Sequence, residues 1–341
     1  MTLEIFNKTG DDTEANSTTD ANTVVQSLST QVFFYLFLFS DIPSLSCSLL
    51  LFYFFLRLPE LRQQYYSHQM SLYLLSVTFL MNAIDMSLIL FYLHDNNYFA
   101  SRNYPFSFCM FWVIYDYTLW SLILWIVALL SLERYLSIFF KQLVTKNMKR
   151  RIIVYYIPVL SIGLFLISWY VYLVIFYPCT QAQFDLTQIL CGFPCYINEA
   201  SDILLNFDWI IAALLPVFLT IFFTLILILH VVYQRHKIAR HLIGQETWKR
   251  TRKMFVQLLP ITLTFSLFTM PVTIVGLMGV SNPWYSAIPY PYVSLLSYFL
   301  PLFAPFVILF QQKAIQGQLR TLIIPRRFHR TIPVIDFNPS R

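Results

Sequence analysis

A chain of 341 residues with 57 % apolar and only 12 % charged side chains departs far from a soluble domain, which is about a quarter charged. Folded in water, it would lack the polar surface a globule needs. The net charge of +6 would suit a nucleic acid or an anionic surface, but its distribution along the chain points away from nucleic acid.

Lipid removes the difficulty, because it is itself an apolar solvent. It also demands that every backbone polar group be satisfied within the spanning structure, which leaves helices or closed barrels. The apolar runs are longer than barrel strands of ~10 residues and do not alternate, so they read as helices. Residues 1–30 are polar and acidic, with Asp11, Asp12, Glu14 and Asp20. They lack the basic start and apolar core of a removable leader and are expected to be a disordered tail. Two N-x-S/T triplets, at Asn7 and Asn16, make it a candidate for glycosylation. Seven spans are expected over 32–57, 68–93, 107–138, 151–177, 204–233, 254–279 and 289–311, so that 31–311 forms an all-α seven-helix membrane bundle. Residues 312–341 follow. Within 312–324, Ile315, Leu319, Leu322 and Ile323 alternate with Lys313, Gln316 and Arg320, the pattern of a short amphipathic eighth helix lying on lipid.

Positive charge orients the bundle. Lys and Arg are absent from 9–56, 63–101, 103–133, 152–234 and 254–312. Of the 23 basic residues, only Lys8 and Arg102 fall on the side of the amino terminus. The crowded side is therefore read as cytoplasmic and the amino terminus as extracellular. The short basic loop at about 234–253 then faces anionic lipid and any inner partner.

The third span carries the sharpest constellation. Cys109 stands at its outer start and Glu133-Arg134-Tyr135 at its inner end. Cys109 and Arg134 are 25 residues apart, about 37 Å of helix, so they mark opposite interfaces. Over residues 31–324 the chain resembles the rhodopsin-like G-protein-coupled receptors, which have a Cys at the top of helix three and an acidic-Arg-Tyr triplet at its foot. The resemblance implies a plasma-membrane receptor with a heterotrimeric G protein as partner. It implies that Glu133 holds Arg134 at rest and that Arg134 turns toward the G protein on activation. It also implies a disulfide from Cys109 to the second outer loop, which offers Cys179, Cys191 and Cys195; connectivity stays open. Cys47 reads as an inert buried thiol. Pro216, Phe265, Pro271 and Pro305 match the family's helix-kinking prolines and the Phe before the sixth-helix proline. The chain departs from the family at Thr269, Ala304, Ile308 and Thr251. Which of Asn82 and Asp85 occupies the family's sodium-binding position is open.

On the ligand side, Asp116 lies seven residues beyond Cys109, about 10 Å into the bundle. A carboxylate at mid-membrane costs roughly 2.5–3.5 kcal/mol on insertion scales and so faces the interior with a partner. In amine-binding and some peptide-binding receptors of the family, an Asp here is the counter-ion of the ligand, and Tyr298 matches the Tyr that hydrogen-bonds it. With Asp208, Asp202 and Glu199 nearby in sequence register, the outer end reads as an acidic vestibule for a cationic peptide or amine. The competing reading is a structural carboxyl, satisfied by Tyr298 or protonated. Residues 254–312 contain no Lys, which excludes a retinal Schiff base. A seven-span ligand-gated channel or a transporter is the alternative function. Neither metal-ligand spacing nor a nucleophile constellation is present, so no enzyme, metal or cofactor is expected.

Overall fold

In the computed structural model the described residues are 15–57, 65–95, 99, 104–139, 156–178, 184–186, 188–192, 194–199, 201–238, 245–281, 289–312 and 315–317. Among them every regular element is helical. Seven helices are long and apolar enough to cross a membrane, over Thr30–Arg57, Met70–His94, Phe106–Leu136, Ile157–Phe176, Ile203–Tyr233, Leu259–Gly279 and Val293–Gln311. The seven-helix bundle expected from the apolar runs is what this chain forms. We number its helices α1 (Ala15–Arg57), α2 (Tyr65–Leu80, a π turn Met81–Met86, then Ser87–His94), α3 (Phe106–Phe139), α4 (Ile157–Val171 and a π turn Tyr172–Phe176), α5 (Asp202–Trp209, a π turn Ile210–Leu214, then Leu215–Ile238), α6 (Gln245–Ser281) and α7 (Pro289–Ser297 and Phe299–Gln311).

The helix α1 starts at Ala15, so its first turns lie within the segment 1–30. No Gly or Pro interrupts the chain between Ala15 and Ile42, and extending an existing helix costs far less than nucleating one. Asn7, Cys179 and the side chains of Asn16, Thr251, Glu199 and Asp202 lie outside the described residues, as does most of the amphipathic segment 312–324. At its start Ile315 is buried, and Gln316 Nε2 donates to the Phe310 carbonyl at 2.8 Å.

The helix α3 is the axis of the bundle. It packs on α2, α4, α5 and α6, and 61 % of its apolar window is buried against 22 % for α4. Its buried Trp112, Ile123, Leu124, Ile126, Val127 and Leu130 form the middle of the core. Around the outside, Phe39, Leu56, Leu164, Phe218, Leu229, Leu267 and Phe310 point away from the protein. Such a belt is costly in water and neutral in lipid.

Prolines and π turns open backbone carbonyls that side chains then fill. Pro305 has no N–H, so the Pro301 carbonyl four residues earlier loses its intrahelical donor. Asn82 Nδ2 donates to that carbonyl at 3.0 Å and to Ser44 Oγ at 3.0 Å, tying α7, α2 and α1 together. Pro301 in turn removes the donor for Ser297, and α7 tightens there: Tyr298 N donates to Leu295 O at 3.2 Å between the two halves of the helix. In the π turn of α5, Ile211 O accepts from Trp125 Nε1 at 3.1 Å. Lipid offers no substitute donors, so these contacts set how the helices meet.

One close approach depends on glycine. Trp209 of α5 stacks on Trp120 of α3 with ring centroids 6.4 Å apart. Its six-membered ring occupies the space a Cβ on Gly276 of α6 would need. Gly276→Ala is expected to overpack this junction and cost about 1–3 kcal/mol, read as a lower thermal unfolding midpoint in detergent. Gly317, whose Cβ would meet nothing, is the matched control.

Candidate functional site

At one end of α3, Cys109 is joined to Cys191 with Cα atoms 5.7 Å apart. This selects one of the three open partners. Cys195 is also disulfide-bonded, and Cys47 is free and buried. The segment that delivers Cys191 is a tight reversal. Leu190, Cys191 and Gly192 all have positive φ (55°, 55° and 79°). Only Gly192 adopts that freely; Leu190 and Cys191 are strained and need surrounding contacts to hold them. Those contacts include Asp185 N donating to Cys191 O at 2.9 Å and Cys191 N donating to Gln188 O at 3.1 Å.

Two turns further along α3, Asp116 is buried at 4 % exposure. Tyr298 Oη donates to its Oδ1 at 2.9 Å. The two residues expected to meet do meet, across α3 and α7. The structure adds a third and a fourth member. Trp112, one turn before Asp116 and so on the same face, donates its Nε1 to Asp85 Oδ1 at 2.8 Å. Asp85 is fully buried, and its carboxyl neighbours that of Asp116. The π turn Met81–Met86 carries both Asn82 and Asp85. It resolves the open register in α2: Asn82 faces α1 and α7, and Asp85 faces α3. π turns of this kind recur at functional sites.

Asp208 has partners of its own. Trp169 Nε1 donates to its Oδ1 at 2.8 Å and Tyr196 Oη to its Oδ2 at 3.3 Å. It anchors the loop helix Cys195–Glu199 to α4 and α5 instead of joining Asp116. Each oxygen accepts from one neutral donor, which steadies the carboxyl within this cluster. Burial first, then Asp208, Tyr117 and Tyr170, push the Tyr196 phenol well above its ordinary range, so it stays a donor in this cluster.

At the other end of α3, Glu133 and Arg134 are each 5 % exposed. They attract one another, yet Glu133 Oε2 and Arg134 Nε have no hydrogen-bond partner. A buried guanidinium nitrogen without an acceptor is costly, and an entering carbonyl or carboxylate would lower that cost. Tyr135 packs on Phe223 of α5, ring centroids 5.6 Å apart. Of the kink residues, Phe265 and Pro305 are buried in the core. Pro216 follows the π turn of α5, and its carbonyl accepts from Thr220 Oγ1 at 2.8 Å. Pro271 lies inside an unbroken α6, where Thr269 and Thr273 bond back to the carbonyls four residues before them. Between the two ends is a small apolar cavity lined by Ile123, Val127, Ile261 and Leu300. Thr264 also lines it.

Sequence reasoning named Asp116 and Tyr298 but missed Asp85 and Trp112 as their partners. The available signal was the cost of a second carboxylate inside a span. It also missed Asp41, a buried carboxyl on α1 whose Oδ1 has no partner. Among the described residues no cluster of His, Cys, Asp and Glu could hold a metal ion. No family model matches the chain and no curated protein matches it, so what the site does is argued from its own chemistry.

Proposed function

We propose that this chain is a rhodopsin-like G-protein-coupled receptor of the plasma membrane, with its amino terminus extracellular. It takes a cationic peptide or amine at Asp116 and Tyr298 and activates a heterotrimeric G protein through Glu133, Arg134 and Tyr135. The observation that carries this reading is α3 itself. A disulfide to the segment between α4 and α5 caps one end, a buried carboxylate lies two turns along from it, and a buried arginine with an unpaired nitrogen stands at the other end. The split of 21 basic residues against two supports the orientation.

A second-messenger screen in cells, run with amine and amidated-peptide libraries, tests the reading. Arg134→Ala is expected to abolish the response to any hit while the protein still reaches the surface. A hit that drives an ionic current instead, unaffected by Arg134→Ala, would replace the receptor with the channel alternative. An amino-terminal epitope found in the cytosol would overturn the orientation and the receptor with it.

A further inference from the structure

The carboxyls of Asp85 and Asp116 neighbour one another in the bundle, and each accepts from one donor. Trp112 Nε1 takes Asp85 Oδ1, and Tyr298 Oη takes Asp116 Oδ1. Asp85 Oδ2 is buried and has no hydrogen-bond partner, and the Asp116 carboxyl is a neighbour of this side chain. Both side chains are buried, Asp85 completely. Two ionised carboxylates in such a site repel strongly, and a carboxyl has no hydrogen of its own to offer unless it is protonated. Among the described residues, Tyr115 on α3 faces Asp85, and Tyr298 on α7 faces both acids, with Tyr117 beside Tyr298. The α1 face that carries Ser44 also carries Asp41, a further acid. None of these is a cation.

We propose that Asp85 and Asp116 bind one proton between them, so that the counter-ion of this bundle is a proton-sharing carboxyl pair and not a lone aspartate. The shared proton closes the Asp85 Oδ2 to Asp116 gap with an O–H donor. It leaves the pair with one negative charge spread over two acids, each steadied by its own Trp or Tyr donor. Two acids sharing one site titrate as a unit. The chemistry gives Asp85 a role in recognition: a cation entering between the acids takes the proton's place, the proton leaves to water, and the charge of the site is conserved. This last consequence rests on the ligand reading above; the shared proton itself does not.

The test is infrared difference spectroscopy of the full-length protein in lipid, without ligand, following the C=O stretch of protonated carboxyl side chains in H2O and D2O. Wild type is expected to show a band missing from the Asp85→Asn/Asp116→Asn double variant. Each single variant is expected to lose the same band, because an asparagine amide donates to the remaining carboxylate in the proton's stead. Independent protonation of the two acids predicts the contrary: each single variant would keep the other acid's band, and that result overturns the proposal. So does a wild-type spectrum with no band that the double variant lacks. Trp112→Phe covers the case in which the asparagine variants fail to fold. It removes one supporting donor and is expected to shift the band, and an unmoved band there counts against the pair. Failure of every agonist in the cell screen would leave these spectra unchanged, so the two readings fall separately.

Discussion

Replacing Asp116 by Asn is expected to weaken a cationic agonist by roughly 2–5 kcal/mol, the usual cost of truncating one partner of a buried charge pair. At about 1.4 kcal/mol per tenfold, that is a potency loss of roughly thirty- to several-thousandfold. The expectation follows from burial. At 4 % exposure the carboxylate has little water to fall back on, so a ligand cation that reaches it exchanges its hydration for a nearly unscreened charge. Tyr298→Phe removes only the 2.9 Å hydrogen bond to Asp116 and is expected to have the smaller effect, about 1.5–3 kcal/mol for a bond to a charged group. Asp208→Asn is the discriminating control. Its oxygens serve Trp169 and Tyr196, so it should lower thermal stability and surface level more than potency. Dose–response curves corrected for surface expression measure all three. Equal potency losses at Asp116 and Asp208 would return Asp208 to the ligand site, and an unchanged curve for Asp116→Asn would remove the counter-ion role.

Cys191→Ser is expected to destabilise the Cys109 end by about 2–5 kcal/mol. The crosslink closes a separation of 82 residues, and the released segment contains two non-glycine residues at positive φ that would relax once untethered. Thermal unfolding of the purified protein in detergent, with and without a thiol reductant, measures the effect. The reductant should lower wild type by more than the variant, which has only the disulfide of Cys195 left to lose. Cys47→Ser, at a buried thiol outside any disulfide, should shift the midpoint much less. Matching midpoints for wild type and Cys191→Ser would mean the loop is held by its hydrogen bonds alone.

Long apolar runs without Lys or Arg determined the number of spans, their limits to within a few residues, and the all-α architecture, because lipid permits few other solutions for such runs. The spacing along α3 likewise put Cys109, Asp116 and Arg134 at three successive depths, since a rigid helix converts residue number into distance. Partnership was another matter. Which cysteine meets Cys109 depended on the positive-φ turn at Leu190 and Cys191. Which acid meets Asp116 depended on the π turn in α2 that points Asp85 at α3 and leaves Asn82 for the carbonyl freed by Pro305. Asp208 was drawn to Trp169 and Tyr196 in the same way. Depth is a property of one helix and survives in the order of its residues. Facing is a property of two helices, set by local bulges and freed carbonyls that hydropathy does not encode, and so only the folded bundle decided it.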